Sequence, residues 1–186
     1  MSVEAPRTGM KAAPLNEPLN AALPAKIKTE IERLEEDCTH SAKSHFNASA
    51  RWTRYNSLIG VPSIILSALA GTAFFKDYSA VAGLMTSAVA VLTALMTFLK
   101  PAERASEHKK AGDQYLTLRN DARIFREIEV DQVRDAPAAL AALSGFTKRR
   151  NELNQASPQF SDGDRRRARA GIEQGEATHV VDRNKS

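Results

Sequence analysis

The side chains able to do chemistry are few in this chain, and they are poorly clustered. Histidines stand at positions 40, 45, 108 and 179, and Cys38 is the one cysteine. His40 and His45 are five residues apart, whereas two metal ligands sharing a helix face need a separation of about four. A lone thiol makes no internal disulfide and no thiolate cluster for zinc or iron–sulfur. The sequence contains no H-E-x-x-H, G-x-S-x-G or G-x-x-x-x-G-K-[ST] pattern, the signatures that would mark a metallopeptidase, a nucleophile elbow or a phosphate loop. No catalytic set, metal site or cofactor is expected, and the chain does not read as an enzyme.

The regular spacings belong instead to small and hydroxyl residues. Ser63, Ser67 and Gly71 recur every four residues, and Ala82, Thr86, Ala90, Thr93 and Thr97 follow at four, four, three and four. On helices these are stripes where backbones approach closely. They serve either packing between two neighbouring helices or a homo-oligomeric seam whose hydroxyls line a narrow path.

The elements carrying those stripes are two apolar runs. The whole chain has 186 residues, 26 Lys and Arg against 22 Asp and Glu, and a net charge of +4. Its mean hydropathy of −0.37 is that of a soluble domain, but the average conceals a block. From Tyr55 to Leu99 only Lys76 and Asp77 are charged. Each uncharged run on either side of that pair is long enough, as a helix, to span the roughly 30 Å of a bilayer core. A helix apolar around its whole circumference needs lipid or a large protein coat, and the charged flanks cannot supply the coat. Two transmembrane helices joined by a tight hairpin are predicted.

The flanks orient the hairpin. Lys43, Arg51 and Arg54 precede the first span and Lys100, Arg104, Lys109 and Lys110 follow the second, while the connecting turn offers Lys76 beside Asp77. The excess of positive charge is expected to put both termini of this multi-pass membrane protein in the cytoplasm. Trp52, Arg54, Tyr55 and Lys100 at one edge, and Lys76 and Tyr78 at the other, suit the membrane interface. Neither span has an ionisable residue in its interior, which disfavours proton relays, coupled transporters and intramembrane proteases. A hydroxyl-lined or hydrophobically gated pore needs no such group.

The organisation predicted along the chain is a disordered leader over 1–23, a cytosolic amphipathic helix over 24–54, the two-span hairpin over 55–99, a cytosolic helical region over 100–176 and a tail over 177–186. In the first helix Ile27, Ile31, Leu34 and Cys38 make a narrow coiled-coil-like stripe that fades through Ser41, His45 and Ala48 toward Trp52. After Pro101, Ala111, Tyr115, Leu118, Ala122 and Phe125, with Ile128 as a further candidate, share a face of a helix from about Ala102 to Asp135. Ile27, Ile31 and Leu34 with Tyr115, Leu118 and Phe125 are the expected oligomerisation stripe. Two further helices are expected over Pro137–Gln155 and Asp162–Gln174. The Arg165-Arg166-Arg167 run lacks interleaved aromatics. It reads as a solvated face or a surface near anionic headgroups, and no specific nucleic-acid binding is expected.

The ordered set of parts resembles a known family. The run R-W-T-R-Y-N-S-L-I-G-V-P-S-I-I-L-S-A-L-A-G (Arg51–Gly71), L-K-P-A-E-R-A (Leu99–Ala105), Q-Y-L-T-L-R-N-D-A-R (Gln114–Arg123), R-R-N-E-L-N-Q-A-S-P (Arg149–Pro158) and A-R-A-G-I-E-Q-G-E (Ala168–Glu176) is similar to the SLATT family, the SMODS and SLOG-associating two-transmembrane effector domains of bacteria. The resemblance spans roughly 25–182. It implies an all-α membrane protein that forms a pore in a nucleotide-signal-dependent conflict system and permeabilises the inner membrane on activation. Its implied partners are the bilayer, further copies of itself, and a nucleotide-signal synthase or sensor encoded nearby. No glycine-rich nucleotide site of the SLOG kind is present. A non-conducting membrane-anchored scaffold or adaptor explains the same composition.

Overall fold

The computed structural model describes residues 17–75, 78–133 and 136–178, and every regular element among them is helical. Helix α1 (Glu17–Phe75) runs 59 residues without interruption, about 88 Å at 1.5 Å per residue. It carries both chemistries of the chain, so the division expected at 54/55 is a change of side chains and not a break in the backbone. The helix also starts inside the segment expected to be a leader. Pro18 stands in its first turn, where a missing N–H costs nothing, and Leu23 packs partly against the core. That contact, made with residues distant in sequence, is what the polar composition of 1–23 concealed. Residues 1–16, and with them most of the expected leader, lie outside the described residues.

Helix α2 (Ser79–Leu99) returns along α1, and α3 (Pro101–Ile124) continues in the same direction. One residue separates them. Lys100 adopts φ 46° and ψ 52°, donates its N–H to the Met96 carbonyl at 3.0 Å, and offers its own carbonyl to Arg104 at 3.1 Å. It ends one helix and begins the next. The left-handed region is costly for a residue with a Cβ, and Pro101, which cannot donate to α2, starts α3 at its first position.

A single seam holds the long antiparallel pair together. Along α1 the covered positions step by three and four from Ile27 through Leu34, Cys38, His45 and Ala48 to Trp52. They continue from Asn56 through Ile59, Ser63, Leu66 and Ala70 to Ala73. They meet Ala82, Met85, Val89, Leu92, Met96 and Leu99 of α2 and Ala105, His108, Ala111, Tyr115, Leu118 and Ala122 of α3. A mean period near 3.5 is the coiled-coil repeat. At the end of α3 the repeat breaks, because Phe125 and Val130 are both buried though five residues apart. A π-helical turn, Phe125–Glu129, absorbs the extra residue, with the Val130 N–H bonded to the Phe125 carbonyl at 2.8 Å.

Helices α4 (Ala136–Ala156) and α5 (Asp162–Glu173) pack on the polar half of the pair. Both fall within two residues of their expected limits. Leu153 and Ala139 of α4 join the core, and Phe146 meets Phe125 edge-on at 5.6 Å. The core cluster includes Ile27, Ile31, Leu34, Tyr115, Leu118 and Phe125. The stripe expected to join subunits is therefore covered by the chain's own antiparallel partner and by α4, leaving none of these six side chains for a second copy. The sequence showed two apolar stripes without showing that they face each other.

The two apolar stretches contrast with this core. Only 6% of the most apolar window of each long helix is buried within the chain. Ile64 at 72% exposed, Leu84 at 75% and Phe98 at 82% stand open. Both helices are long and apolar enough to cross a membrane, and a core helix of a soluble bundle would be mostly covered. Ile31→Ala should lower the unfolding free energy of the detergent-solubilised protein by about 2–4 kcal/mol. Ile64→Ala should leave it nearly unchanged, as thermal melts followed by circular dichroism would show.

Candidate functional site

The apolar hairpin and the polar junction just outside it hold the residues of functional interest. In the hairpin the sequence stripes and the true seam coincide only in part. Ser63 and Ala82 sit on the seam, whereas Ser67, Gly71, Thr86, Thr93 and Thr97 are exposed. A period of four drifts off a face that repeats every 3.5 residues, and this drift carries Ser67 and Gly71 to its edge. A hollow of about 630 Å³ between the helices brings together Ser67 and Gly71 of α1 with Gly83 and Thr86 of α2. A Cβ added at Gly71 or Gly83 would meet nothing within 4 Å. Ser63, Thr93 and Thr97 do not line this hollow.

The hydroxyls are turned inward on their own helices. Ser63 donates to the Ile59 carbonyl at 2.8 Å, Ser67 to Ser63 at 2.8 Å, Thr86 to Ala82 at 2.8 Å and Thr97 to Thr93 at 2.9 Å. Each donor is thus satisfied without water or a neighbouring helix, as an apolar surrounding requires, and only oxygen lone pairs remain to be offered.

Of the expected interface residues, Trp52, Arg54, Tyr55 and Lys100 gather at the end of the hairpin nearest the polar half. Tyr78 stands 63% exposed at the other end; Lys76 lies outside the described residues. Trp52 is sandwiched by charge, with the Arg51 and Arg104 guanidinia 5.2 and 4.8 Å from its ring centroid. The Tyr55 ring meets it edge-on at 5.6 Å. Arg54 is exposed and Lys100 pairs with Glu103 at 3.0 Å.

One turn further along lies a junction that sequence reasoning missed. His45 of α1 and His108 of α3, 1% and 3% exposed, bring their Nδ1 atoms to 3.0 Å. Tyr115 stacks on His45 at 5.6 Å and Phe160 meets it edge-on at 5.0 Å. Beside the pair, Asp164 of α5, also 1% exposed, receives Arg51 Nη2 at 2.9 Å and the Ser161 hydroxyl at 2.7 Å. Ser161 and Asp164 form a reciprocal capping box that starts α5. The acid thus fixes its own helix and ties that helix to α1. Ser49 closes the other side by donating to the Ala105 carbonyl at 2.8 Å. The spacing of His40 and His45 excludes a shared ligand pair on one helix but says nothing of a partner on another. The usable signal was that His45 and His108 each continue an apolar stripe, so each points at a neighbour.

Electrostatics follow from this packing. Burial, then repulsion from His108, lowers His45 to about 4. Burial and then Arg51 lower His108 as well. Burial opposes ionisation of Asp164, but its hydrogen bonds from Arg51 and Ser161 prevail and hold it below the usual carboxylate value. Burial pushes the Cys38 thiol up to about 12, which leaves it unreactive as a nucleophile. With both rings neutral, one Nδ1–H donates to the other Nδ1, and no cluster of three or more metal-binding side chains exists among the described residues. The junction interlocks α1, α3 and α5. No protein-family model, curated protein or solved structure matches the chain.

The histidine pair makes stability depend on pH. An unfolded histidine binds its proton near pH 6.5, whereas folded His45 binds it only near 4. Between those values the unfolded state holds more protons, so stability is full above pH 6.5 and falls as pH drops toward 4. The expected slope is about 1.4 kcal/mol per pH unit for each histidine whose folded form stays neutral. Chemical denaturation at pH 7.5, 6 and 5 should show it, and His45→Gln with His108→Gln should flatten it.

Proposed function

We propose that the chain is a two-span effector of the SLATT kind, seated in the bacterial inner membrane with both termini in the cytoplasm, that permeabilises this membrane by self-association when a nucleotide-signal system activates it. The observation that carries the reading is the hairpin surface. Both helices are long enough to cross a bilayer, yet only 6% of each apolar window is fully buried within the chain. A bilayer covers such a surface, and a second copy covers part of it. The absence of ionisable groups inside the spans favours a passive path over coupled transport. Self-association falls to the hairpin, because the stripes of the polar half are occupied within the chain. Ser67, Gly71, Gly83 and Thr86 around the inter-helix hollow are the natural subunit contacts or pore lining. Activation shifts a closed population toward an assembled, leaky one, which demands a signal that binds the two states unequally.

Two measurements test this. Purified protein in planar bilayers should give discrete conductance steps, and Gly71→Leu or Thr86→Leu should change their amplitude or frequency. Oligomers that stay silent under every condition would leave the scaffold reading in place of the pore. For the topology, a cysteine at Tyr78 should react with an impermeant maleimide only from outside intact spheroplasts. One at Glu107 should react only after lysis. Labelling with the opposite sidedness removes the proposed orientation.

A further inference from the structure

The arginine run of α5 acquires a setting in the fold that it lacks in the sequence. A cleft of about 810 Å³ opens between α1, α4 and α5, and Arg150 of α4 with Arg165 and Arg169 of α5 line it, while Arg166 and Arg167 do not. Arg165 has no ion pair among the described residues, and its guanidinium lies over the Phe160 ring, 5.6 Å from the centroid. Arg150 holds Asp37 through Nη1 at 2.6 Å, but its Nε is buried without a hydrogen-bond partner. Arg169 is held only by Glu173 of its own helix at 2.9 Å, with both side chains mostly exposed.

We infer that this cleft binds a small soluble anion bearing two or more phosphate groups. Guanidinium groups match phosphate oxygens in pairs and at short range, better than any other side chain. One of the three makes no ion pair among the described residues, and the other two are paired with exposed acids, in bonds of the kind that contribute little. Glu36, Asp37 and Glu173 also line the cleft and balance the charge of its three arginines. They are 74%, 60% and 64% exposed, so each can swing into water as a phosphate takes an arginine. A single phosphate cannot engage arginines from two helices as well as a ligand with linked phosphates. The soluble source follows from position. Of the lining residues on α1, Ser44 lies nearest the spans, eleven residues before Tyr55 and about 16 Å along the helix axis, so the α1 wall of the cleft extends away from the hairpin toward the aqueous side. The ligand would bridge α4 and α5, and α5 is the helix that Asp164 ties to Arg51 beneath the hairpin. This inference does not depend on whether the hairpin conducts.

The test is calorimetric titration of the full chain, in nanodiscs of pure phosphatidylcholine, with inorganic pyrophosphate and with orthophosphate. Saturable binding is expected, with pyrophosphate tighter. Arg165→Ala should weaken it about tenfold or more, at an unchanged melting temperature, while Arg166→Ala leaves it intact. Absence of binding, equal loss in both variants, or competition by phosphatidylglycerol added to the nanodiscs would each overturn the proposal. The first leaves an ordinary solvated ion-pair network, the second a diffuse basic surface and the third a lipid contact.

Discussion

Everything in this molecule hangs on one seam. An apolar stripe with a period near 3.5 runs along most of α1 and is covered by α3 over one half and by α2 over the other. The stripe is the same device in both halves; what changes is the outward face. Around Glu30 to Glu36 it is charged, so burial of the stripe in water drives pairing there. Around Ile64 it is as apolar as the stripe itself. Exclusion from water gives no preference for pairing within lipid, and close packing of Ala70, Ala73 and Ala82 must hold the helices instead. One periodicity is thus maintained by two different forces along one helix.

Most of the architecture was readable because periodicity and charge density are local properties. The two apolar runs and the limits of α4 and α5 follow from side chains a few residues apart. What stayed hidden depends on long-range pairing. Phe125 and Val130 needed a π turn that only their shared burial shows. His45 and His108 are 63 residues apart, and Arg51 and Asp164 are 113 apart. The histidines each continue an apolar stripe and Asp164 closes a capping box with Ser161, but no local pattern names the distant partner of any of them. The two amphipathic stripes were legible, but each alone suggested an intermolecular partner, whereas together they complete each other. The stripe of Ser63, Ser67 and Gly71 coincides with the seam only at Ser63. A repeat of four is close enough to 3.5 to resemble a packing face over two turns and far enough to leave it over three.

The polar junction below the hairpin adds specificity more than strength. Burying Asp164 with Arg51 costs desolvation on both sides, and such pairs seldom exceed an apolar replacement in net stability. They are, however, intolerant of misalignment. A slip of α3 by one heptad along α1 would leave a histidine without its counterpart, and a shift of α5 would strand a carboxylate in a site that excludes water. The apolar seam, with its repeating alanines and leucines, has no such discrimination of its own. The two histidines therefore fix the register of α3 on α1, and Arg51 with Asp164 fixes the seat of α5.

The single left-handed residue at Lys100 has a mechanical consequence. The ladder of α1 passes from the charged half into the apolar half with only the donors of Pro24 and Pro62 missing. Its partner is divided, because Pro101 brings no N–H to the ladder at the division. The two sides of the rod are thus unequal in torsional stiffness. A twist applied to the charged half is transmitted axially by α1, whereas α2 feels it only laterally, through side chains that can slide. The molecule is built as a shaft beside a universal joint.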